Sequence, residues 1–598
     1  MKSKVYSQKN LRKAIMGFTL GAFCLGAVPV AFAADVQILP INRAKFWQGQ
    51  QFDFEVEVKN AQDLKAITVT VDGQDASKYF DKKAVVENKD GLASYRIDNV
   101  NFPTTGKLAI KATAVDNTGN STSNVNYDVV NEKVVRKAKN VILFIGDGMS
   151  LQAEEIARVL SKGMSDGKAN DLLAMEKMPN LALVTTSGYD SIVTDSANSA
   201  SAYATGNKSV VNAMGVYANS TKDPLDDPKV ENIVEILKRT KGMSIGLIST
   251  ANITDATPAA MAAHTRRRAE QNFIAQTYLD PSHRPDVILG GGARQFIPVT
   301  SPGSKRKDKA NVIDEFKADG YQFVENRQQM NAVDYSKPIL GLFNMDNMNV
   351  YIDREMLKNP QVLNGFNDQP NLIEMTKTAI NRLDKNPNGF FAMIEGACID
   401  KQLHTMDWQR AAYDTIELDK AVEYAQKYSA AHGDNTLIIV VADHGHGISI
   451  TGTYSEKDGK VGRDGVRTYA DAGWPTFVDK DGDGFPDNPD ADVTLAVQYA
   501  NHPDYYENYR FQPVPTPPAV MNGSGQAIAN PQRSPFGKNG ELIPGNIPAD
   551  DPSEVHSADD VVLTAQGPGA EYFKGVMDNT EVFFGMLRAL GVDSTKRK

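Results

Sequence analysis

Cysteine is almost missing from this 598-residue chain: there are two, Cys24 and Cys398. Cys24 falls in an N-terminal stretch read below as a leader, so a single thiol remains and an internal disulfide is excluded. A chain of this kind must hold together through its core and through bound metals rather than through cross-links. Basic residues are also in deficit. Lys and Arg number 64 against 74 Asp and Glu, a formal net charge of −10, which argues against a general nucleic-acid binder. Apolar residues make up 41% and the mean hydropathy is −0.38, values of a soluble globular protein rather than a membrane one. Histidine is scarce, eight in all, so the places where histidines fall are informative. The length exceeds what one core organises, and two or more domains are expected.

Lys2, Lys4, Lys9, Arg12 and Lys13 precede an uncharged apolar stretch that ends Ala31-Phe32-Ala33. This reads as a secretory signal peptide over residues 1–33, cleaved after Ala33, with Ala34 as the alternative; an uncleaved anchor helix is the rival reading. Removing five positive charges takes the net charge from −10 to −15, still no lure for polyanions. The expectation is an exported protein, periplasmic or extracellular, with no membrane span after cleavage. Residues 34–132 then read as an all-β domain. Phe52-Asp53-Phe54-Glu55-Val56-Glu57-Val58 and Ala66-Ile67-Thr68-Val69-Thr70-Val71 alternate with period two, and Asp72-Gly73 and Asn117-Thr118-Gly119-Asn120 supply turns. Several short strands in about 100 residues suggest an immunoglobulin-like sandwich, a spacer or docking module without a chemical constellation of its own.

After a basic hinge at residues 133–139 the pattern changes. Val141-Ile142-Leu143-Phe144-Ile145 runs apolar into Gly146-Asp147-Gly148; Phe390-Phe391-Ala392-Met393-Ile394 ends in Glu395-Gly396; Leu437-Ile438-Ile439-Val440-Val441-Ala442 ends in Asp443-His444. Unbroken short apolar runs suit strands buried on both faces of a parallel sheet. Their alternation with helical stretches predicts one large α/β domain over residues 138–598, built on a mainly parallel sheet flanked by helices. Ligands bind at the carboxyl ends of such strands, where Asp147, Glu395 and Asp443 fall. Residues 451–552, rich in Gly, Pro, Asp and Tyr, read as an insertion over the site. Inside it Asp479, Asp481, Asp483, Asp487 and Asp490 occupy positions 1, 3, 5, 9 and 12 of a candidate calcium loop, with Gly482 at position 6; position 12 is Asp rather than Glu.

The residues with chemical potential are few. Thr194-Asp195-Ser196-Ala197 precedes a helical stretch, so Ser196 sits at a helix start, where backbone N–H groups and the dipole favour a phosphate. A serine there also serves as an ordinary cap, and a nucleophilic one needs a base or a metal. Asp400 and His404 stand four apart and share one face of a helix. Four of the eight histidines, His404, His444, His446 and His556, fall into small clusters with acids. That recurrence points to metal ligation.

With these motifs in hand the chain resembles the alkaline phosphatase family over roughly residues 138–592. The family's Asp-Ser-Ala-x-Ser-Ala is met at 195–200, its Gly-Asp-Gly at 146–148, Asp-Ala-Thr-Pro-Ala-Ala at 255–260, Glu-Gly-Ala-x-Ile-Asp at 395–400 and Ala-Asp-His at 442–444. The resemblance implies a phosphomonoesterase that works through a covalent phosphoserine at Ser196, with two zinc ions and one magnesium. It implies one zinc on Asp400, His404 and His556; a second on Asp147, Asp443 and His444 beside Ser196; and magnesium on Asp147, Thr257 and Glu395. It further implies Arg268 as the phosphate-binding arginine, oriented by Asp195, with a one-residue slip among Arg266, Arg267 and Arg268 left open. Asp255 and Lys401 match the variant in which an acid and a lysine flank magnesium, and His446 would stand behind the ligands. Cys398 is expected buried and unreactive. Small phosphate monoesters are the implied substrates, phosphate scavenging the implied role, and both a monomer and a homodimer are compatible. The rivals are a sulfatase or phosphodiesterase on the same fold and a non-catalytic adhesion protein. Ser196 lacks the Cys/Ser-x-Pro-x-Arg context of a sulfatase, and the complete acid–histidine set speaks against the last.

Overall fold

Apolar runs too short for helices and without polar breaks become the ten strands of one sheet in the computed structural model. The structure describes residues 33–595, apart from 90, 461, 468–472, 501–519, 525–526 and 529–552. The leader thus lies outside the described residues except for Ala33, as does much of the 451–552 insertion. The strands are β1 (Asn140–Gly146), β2 (Asn180–Thr185), β3 (Ser244–Asn252), β4 (Val287–Gly291), β5 (Gln322–Val324), β6 (Ile339–Leu342), β7 (Phe390–Gly396), β8 (Thr436–Ala442), β9 (Val561–Gln566) and β10 (Gly575–Asp578). Their order is β5-β6-β4-β3-β7-β1-β8-β9-β2-β10. Only β9 runs against the rest. The sheet is therefore mainly parallel, and β1, β7, β8 and β3 are buried at every residue, as strands covered on both faces must be.

Helices α1 (Leu151–Lys162), α2 (Ser196–Thr205), α3 (Ile233–Lys241), α4 (Ala256–Ala260), α5 (Leu372–Leu383), α6 (Cys398–His404), α7 (Trp408–Ala431) and α8 (Glu581–Leu590) supply that cover. α1, α5 and α6 pack with α7 on one side; α2 packs with α3, α4 and α8 on the other. Register brings the chemistry to one level. Gly146 at the end of β1 pairs with Gly396 of β7 and with Ala442 of β8, and Ser249 of β3 pairs with Glu395. Asp147, Glu395 and Asp443 consequently leave the sheet side by side. Among the described residues, no helix is long and apolar enough to cross a membrane.

The N-terminal residues form a two-sheet sandwich. One sheet joins Asp35–Leu39, Gln51–Lys59, Leu92–Asn101 and Val85–Lys89; the other joins Lys45–Trp47, Gly119–Val130, Gly106–Asp116, Ala66–Val71 and Gln74–Asp75. Phe46, Phe52, Phe54, Phe102 and Tyr127 fill the space between them, with ring centroids of Phe46 and Phe52 4.6 Å apart. The sandwich is not a loosely tethered spacer. Its core includes Tyr217 and Val230 of the large domain, Trp47 Nε1 donates to Val592 O at 3.1 Å, and Lys45 pairs with Glu581 at 2.8 Å. Gln50, fully buried, donates through Nε2 to the carbonyls of Thr205 and Glu231 at 2.9 and 3.0 Å. Thr205 is the last residue of α2, so the sandwich satisfies a carbonyl that a helix C-terminus leaves without an intrahelical partner.

The insertion contains a structure that its composition did not announce. Ile448–Ser455 pairs antiparallel with Val493–Tyr499 and with Val466–Arg467. The pairing strands lie far apart in sequence, so no local turn signal marked them.

Gln50→Ala should remove the bonds to the Thr205 and Glu231 carbonyls, leaving Thr205 O to Asn207 Nδ2 alone, and lower the unfolding free energy by about 1–3 kcal/mol. Denaturant titration of the variant reads this directly; a midpoint equal to that of the parent protein would refute the role of Gln50.

Candidate active site

Asp147 follows β1 in a turn where Gly148 has φ +65°, and a Cβ on Gly148 would stand 2.7 Å from the His446 ring. Glycine is required there because the histidine closes over the turn. Across the sheet end, α2 begins at Ser196. Its N-cap is Asp195, whose side chain accepts from Asn198 N while Asn198 Oδ1 accepts from Asp195 N, a reciprocal cap. Two further bonds tie this helix to the end of β8: Ser199 Oγ donates to Asp443 O at 2.6 Å and Tyr203 Oη to Ala442 O at 2.5 Å. These two anchors were not read from the sequence, since a serine and a tyrosine inside a helix carry no signal of a distant partner.

Ser196 Oγ lies 3.3 Å from Asp147 Oδ1 and 3.2 Å from His444 Nε2. His444 Nε2 is 3.4 Å from Asp147 Oδ1 and 3.4 Å from Asp443 Oδ2. Asp443 Oδ1 is occupied by the N–H groups of Gly148 and His444, whereas Oδ2 is buried without a hydrogen-bond partner. A second group forms beside it. Asp400 Oδ1 is 3.2 Å from His404 Nε2 and 3.5 Å from His556 Nε2, and the two Nε2 atoms are 3.0 Å apart. Each of these histidines spends Nδ1 on a carbonyl, His404 on Glu554 O at 2.6 Å and His556 on Thr194 O at 2.8 Å. The Nδ1 atom carries the hydrogen in both, which leaves the Nε2 lone pairs facing one another and the carboxylate. Lone pairs converging on a carboxylate need a cation between them. His446 Nε2 also meets Asp400 Oδ1, at 2.7 Å, as a donor that orients the carboxylate.

The third group surrounds Glu395. Ser249 Oγ donates to its Oε2, and the Thr257 hydroxyl neighbours it while remaining buried outside hydrogen-bond geometry. Lys401 Nζ stands 3.2 Å from Asp147 Oδ2, 3.0 Å from Asp400 Oδ2 and 3.8 Å from Asp255 Oδ2. Arg268 resolves the ambiguity among the three arginines. Its guanidinium bridges Asp195 Oδ2 at 3.1 Å and Asp255 Oδ1 at 2.9 Å, whereas Arg266 is spent on Asp227 and on the carbonyls of Asn219, Thr221 and Asp223. Arg267 is exposed. Cys398 is buried, its Sγ 3.5 Å from Met348 O, and burial pushes the thiol far up.

Charge in this cleft is out of balance. Burial, followed by the nearness of Asp147, raises Glu395 to about 8. Burial and Asp400 raise Asp147, and burial and Asp147 raise Asp443 well above the carboxylate range. Burial also opposes ionisation of Asp400, but Lys401, His404 and His446 outweigh it and hold that group low. Asp255 is lowered to about 2, because Arg268 and Lys401 overcome its burial. Burial and His556 keep His444 neutral, and burial brings His446 to about 4. Six carboxylates, those of Asp147, Asp195, Asp255, Glu395, Asp400 and Asp443, thus meet two cationic side chains. Divalent cations fit the donors present: imidazole and carboxylate at the first two groups suit a zinc-like ion, and the all-oxygen set of Asp147, Thr257 and Glu395 suits a magnesium-like one.

The acidic turn in the insertion is a partial match to its expectation. Asp479, Asp481 and Asp483 come together; Asp487 and Asp490 are not in that group. Asp487 Oδ2 instead accepts from Lys480 N at 2.6 Å, and its own N–H pairs with Val478 O. Backbone N–H groups of Gly482 and Gly484 take both oxygens of Asp479.

Compared with known proteins, residues 138–592 match the sequence pattern of the alkaline phosphatase family. Alkaline phosphatase H of Pseudomonas aeruginosa is 37% identical over 348 residues, covering 53% of this chain and 71% of its own. Alkaline phosphatase 3 of Bacillus subtilis is 30% identical over 468 residues, covering 76% and 89%. Among solved structures, the alkaline phosphatase of Thermus thermophilus superposes with a TM-score of 0.55 at 22% identity, over 77% of this chain and 93% of that one; at that identity it speaks to the fold alone. The sandwich lies outside the matched segment.

His446→Gln removes or misaligns the donor on Asp400 without touching the other carboxylate groups. Metal affinity at the Asp400–His404–His556 group should fall about 10–100-fold, the usual cost of losing an outer partner. Competition with a calibrated chelator measures it, and an unchanged affinity would show that His446 does not orient Asp400.

Proposed function

The chain belongs to the alkaline phosphatase family and is a phosphoric monoester hydrolase, and from that premise we propose that Ser196 is its nucleophile, with two zinc ions and one magnesium as its cofactors. The observation that carries the reading is the position of Ser196 Oγ. It lies 3.2–3.3 Å from His444 and Asp147 at the first residue of a ten-residue helix, where the N-terminal dipole favours an incoming phosphoryl group.

In this reading zinc is held by Asp400, His404 and His556 and by Asp147, Asp443 and His444, and magnesium by Asp147, Thr257 and Glu395. When bound, such ions stabilise the attacking and leaving oxygens of an in-line displacement. The protein's own groups do the rest. Ser196 Oγ, as the alkoxide, attacks phosphorus; the Oγ–P bond forms as the ester P–O bond breaks, and the alcohol departs after taking up a proton. Water then attacks the phosphoserine, the Oγ–P bond breaks, and inorganic phosphate leaves. Arg268 presents a planar fork suited to two phosphoryl oxygens. Its orientation is set beforehand by Asp195 and Asp255, so little side-chain freedom is lost on binding. Lys401 contacts three of the cleft carboxylates and supports substrate charge from behind them. Export through the leader at residues 1–33, a periplasmic or extracellular location and a part in phosphate scavenging complete the proposal; the basic-then-apolar leader supports the export.

Two outcomes test it. Brief incubation with a labelled phosphate monoester should leave label on the parent protein and none on Ser196→Ala; label retained by the variant would remove Ser196 from the mechanism. Asp147→Asn weakens a residue shared by two ion sites. Equilibrium dialysis should show zinc and magnesium lost together, and loss of only one would break the bridging assignment.

A further inference from the structure

Away from the catalytic cleft, two more of the eight histidines meet around a single carboxylate. His264 Nε2 lies 2.9 Å from Glu235 Oε2, and His283 Nε2 lies 3.6 Å from Glu235 Oε1. The two imidazoles stand edge to face with centroids 5.4 Å apart, and the three donor atoms fall within 4.8 Å of one another. A tetrahedral zinc ion with bonds near 2.1 Å sets its ligand atoms about 3.4 Å apart, so the three side chains need only small shifts to bring two nitrogens and one oxygen to that spacing. The donors come from three separate segments: the first turn of α3, the loop after α4, and the turn after Gln271–Thr277.

Proton accounting sharpens the case. His264 Nδ1 is 2.8 Å from Gly215 O and must carry the hydrogen. Its Nε2 lone pair then faces a carboxylate at 2.9 Å, with the Asn232 amide farther off at 3.4 Å, a conflict like that of His404 beside Asp400. A second proton on His264 would relieve it, and the Glu235 carboxylate does raise the affinity of that ring for a proton against its burial. A proton on His264 does not account for His283. That ring is brought within 3.6 Å of the carboxylate, too far for a hydrogen bond, and its Nδ1 is buried without a partner. A cation bound by all three accounts for both rings.

We propose that Glu235, His264 and His283 form a fourth divalent-cation site of zinc type, with two imidazole nitrogens, one carboxylate oxygen and an open fourth position. Side-chain exposures of 14% for His283 and 21% for Glu235 leave a path for the ion. The site joins the start of α3 to the loop after α4, outside the cleft. This inference does not depend on the roles proposed for Ser196 or the catalytic ions.

The test counts metal. The full-length parent protein and His283→Asn are equilibrated at the same buffered free zinc concentration, cleared of loose metal, and measured by mass spectrometry of the elements. His283→Asn should hold one zinc fewer per chain while keeping its phosphatase activity. Equal counts would overturn the proposal and leave Glu235 and His264 as a protonated ion pair. A crystal of the unaltered protein in zinc gives a reading independent of how the variant folds. Anomalous density between the three side chains is expected, and its absence while the catalytic groups are filled would overturn the proposal equally.

Discussion

The structure depends on a buried excess of negative charge at one end of a parallel sheet. Carboxylates lose their hydration there, and among the described residues two permanent cations, Lys401 and Arg268, pair with them. Such an arrangement is costly unless charges are paired. The sheet makes it unavoidable: pairing of Gly146 with both Gly396 and Ala442 sets Asp147, Glu395 and Asp443 at one level. A strand slipped by one residue would turn its acid to the other face. The apolar strands are thus the precision element, and the ion-binding geometry is a consequence of their register.

Helix α2, which begins at Ser196, is fixed to this end of the sheet from several sides. Asp195 caps its start, Ser199 and Tyr203 tie it to the end of β8, and Thr194 O receives His556 Nδ1. The last contact links the residue before the cap to a ligand of the neighbouring group, so a shift in one is felt by the other. At its far end the helix leans on Gln50, which belongs to the sandwich. A domain that reads as a spacer or docking module by composition therefore shares the anchoring of the helix that begins at Ser196.

Much of this was legible in the sequence because the governing signals are local. Val141–Ile145 and Leu437–Ala442 read as buried strands from length and apolarity alone, and the four-residue spacing of Asp400 and His404 put them on one helix face. The parts that escaped depend on contacts distant in sequence. Gln50 and Thr205 are 155 residues apart. The strands Ile448–Ser455 and Val493–Tyr499 were hidden because the intervening residues carry no hairpin turn. The candidate calcium loop was legible in part: of the five acids that the spacing picked out, Asp479, Asp481 and Asp483 come together, while Asp487 Oδ2 accepts from Lys480 N.

Lys401 explains how the two histidine-bearing groups keep their separate identities while standing so close. Asp147 turns Oδ2 to the ammonium and Oδ1 to Ser196 and His444. Asp400 turns Oδ2 to the same ammonium and Oδ1 to His404, His446 and His556. One cation thereby orients two carboxylates in opposite directions. Asp255 extends the pattern, with Oδ2 toward Lys401 and Oδ1 on Arg268, whose other arm holds Asp195. Signs alternate along the whole chain from Asp195 through Arg268, Asp255 and Lys401 to Asp147 and Asp400. Breaking a buried charge pair typically costs about 3–5 kcal/mol because the orphaned partner stays buried. Each member is therefore held by the penalty its neighbours would suffer, and Arg268 and the cleft aspartates are positioned as one unit.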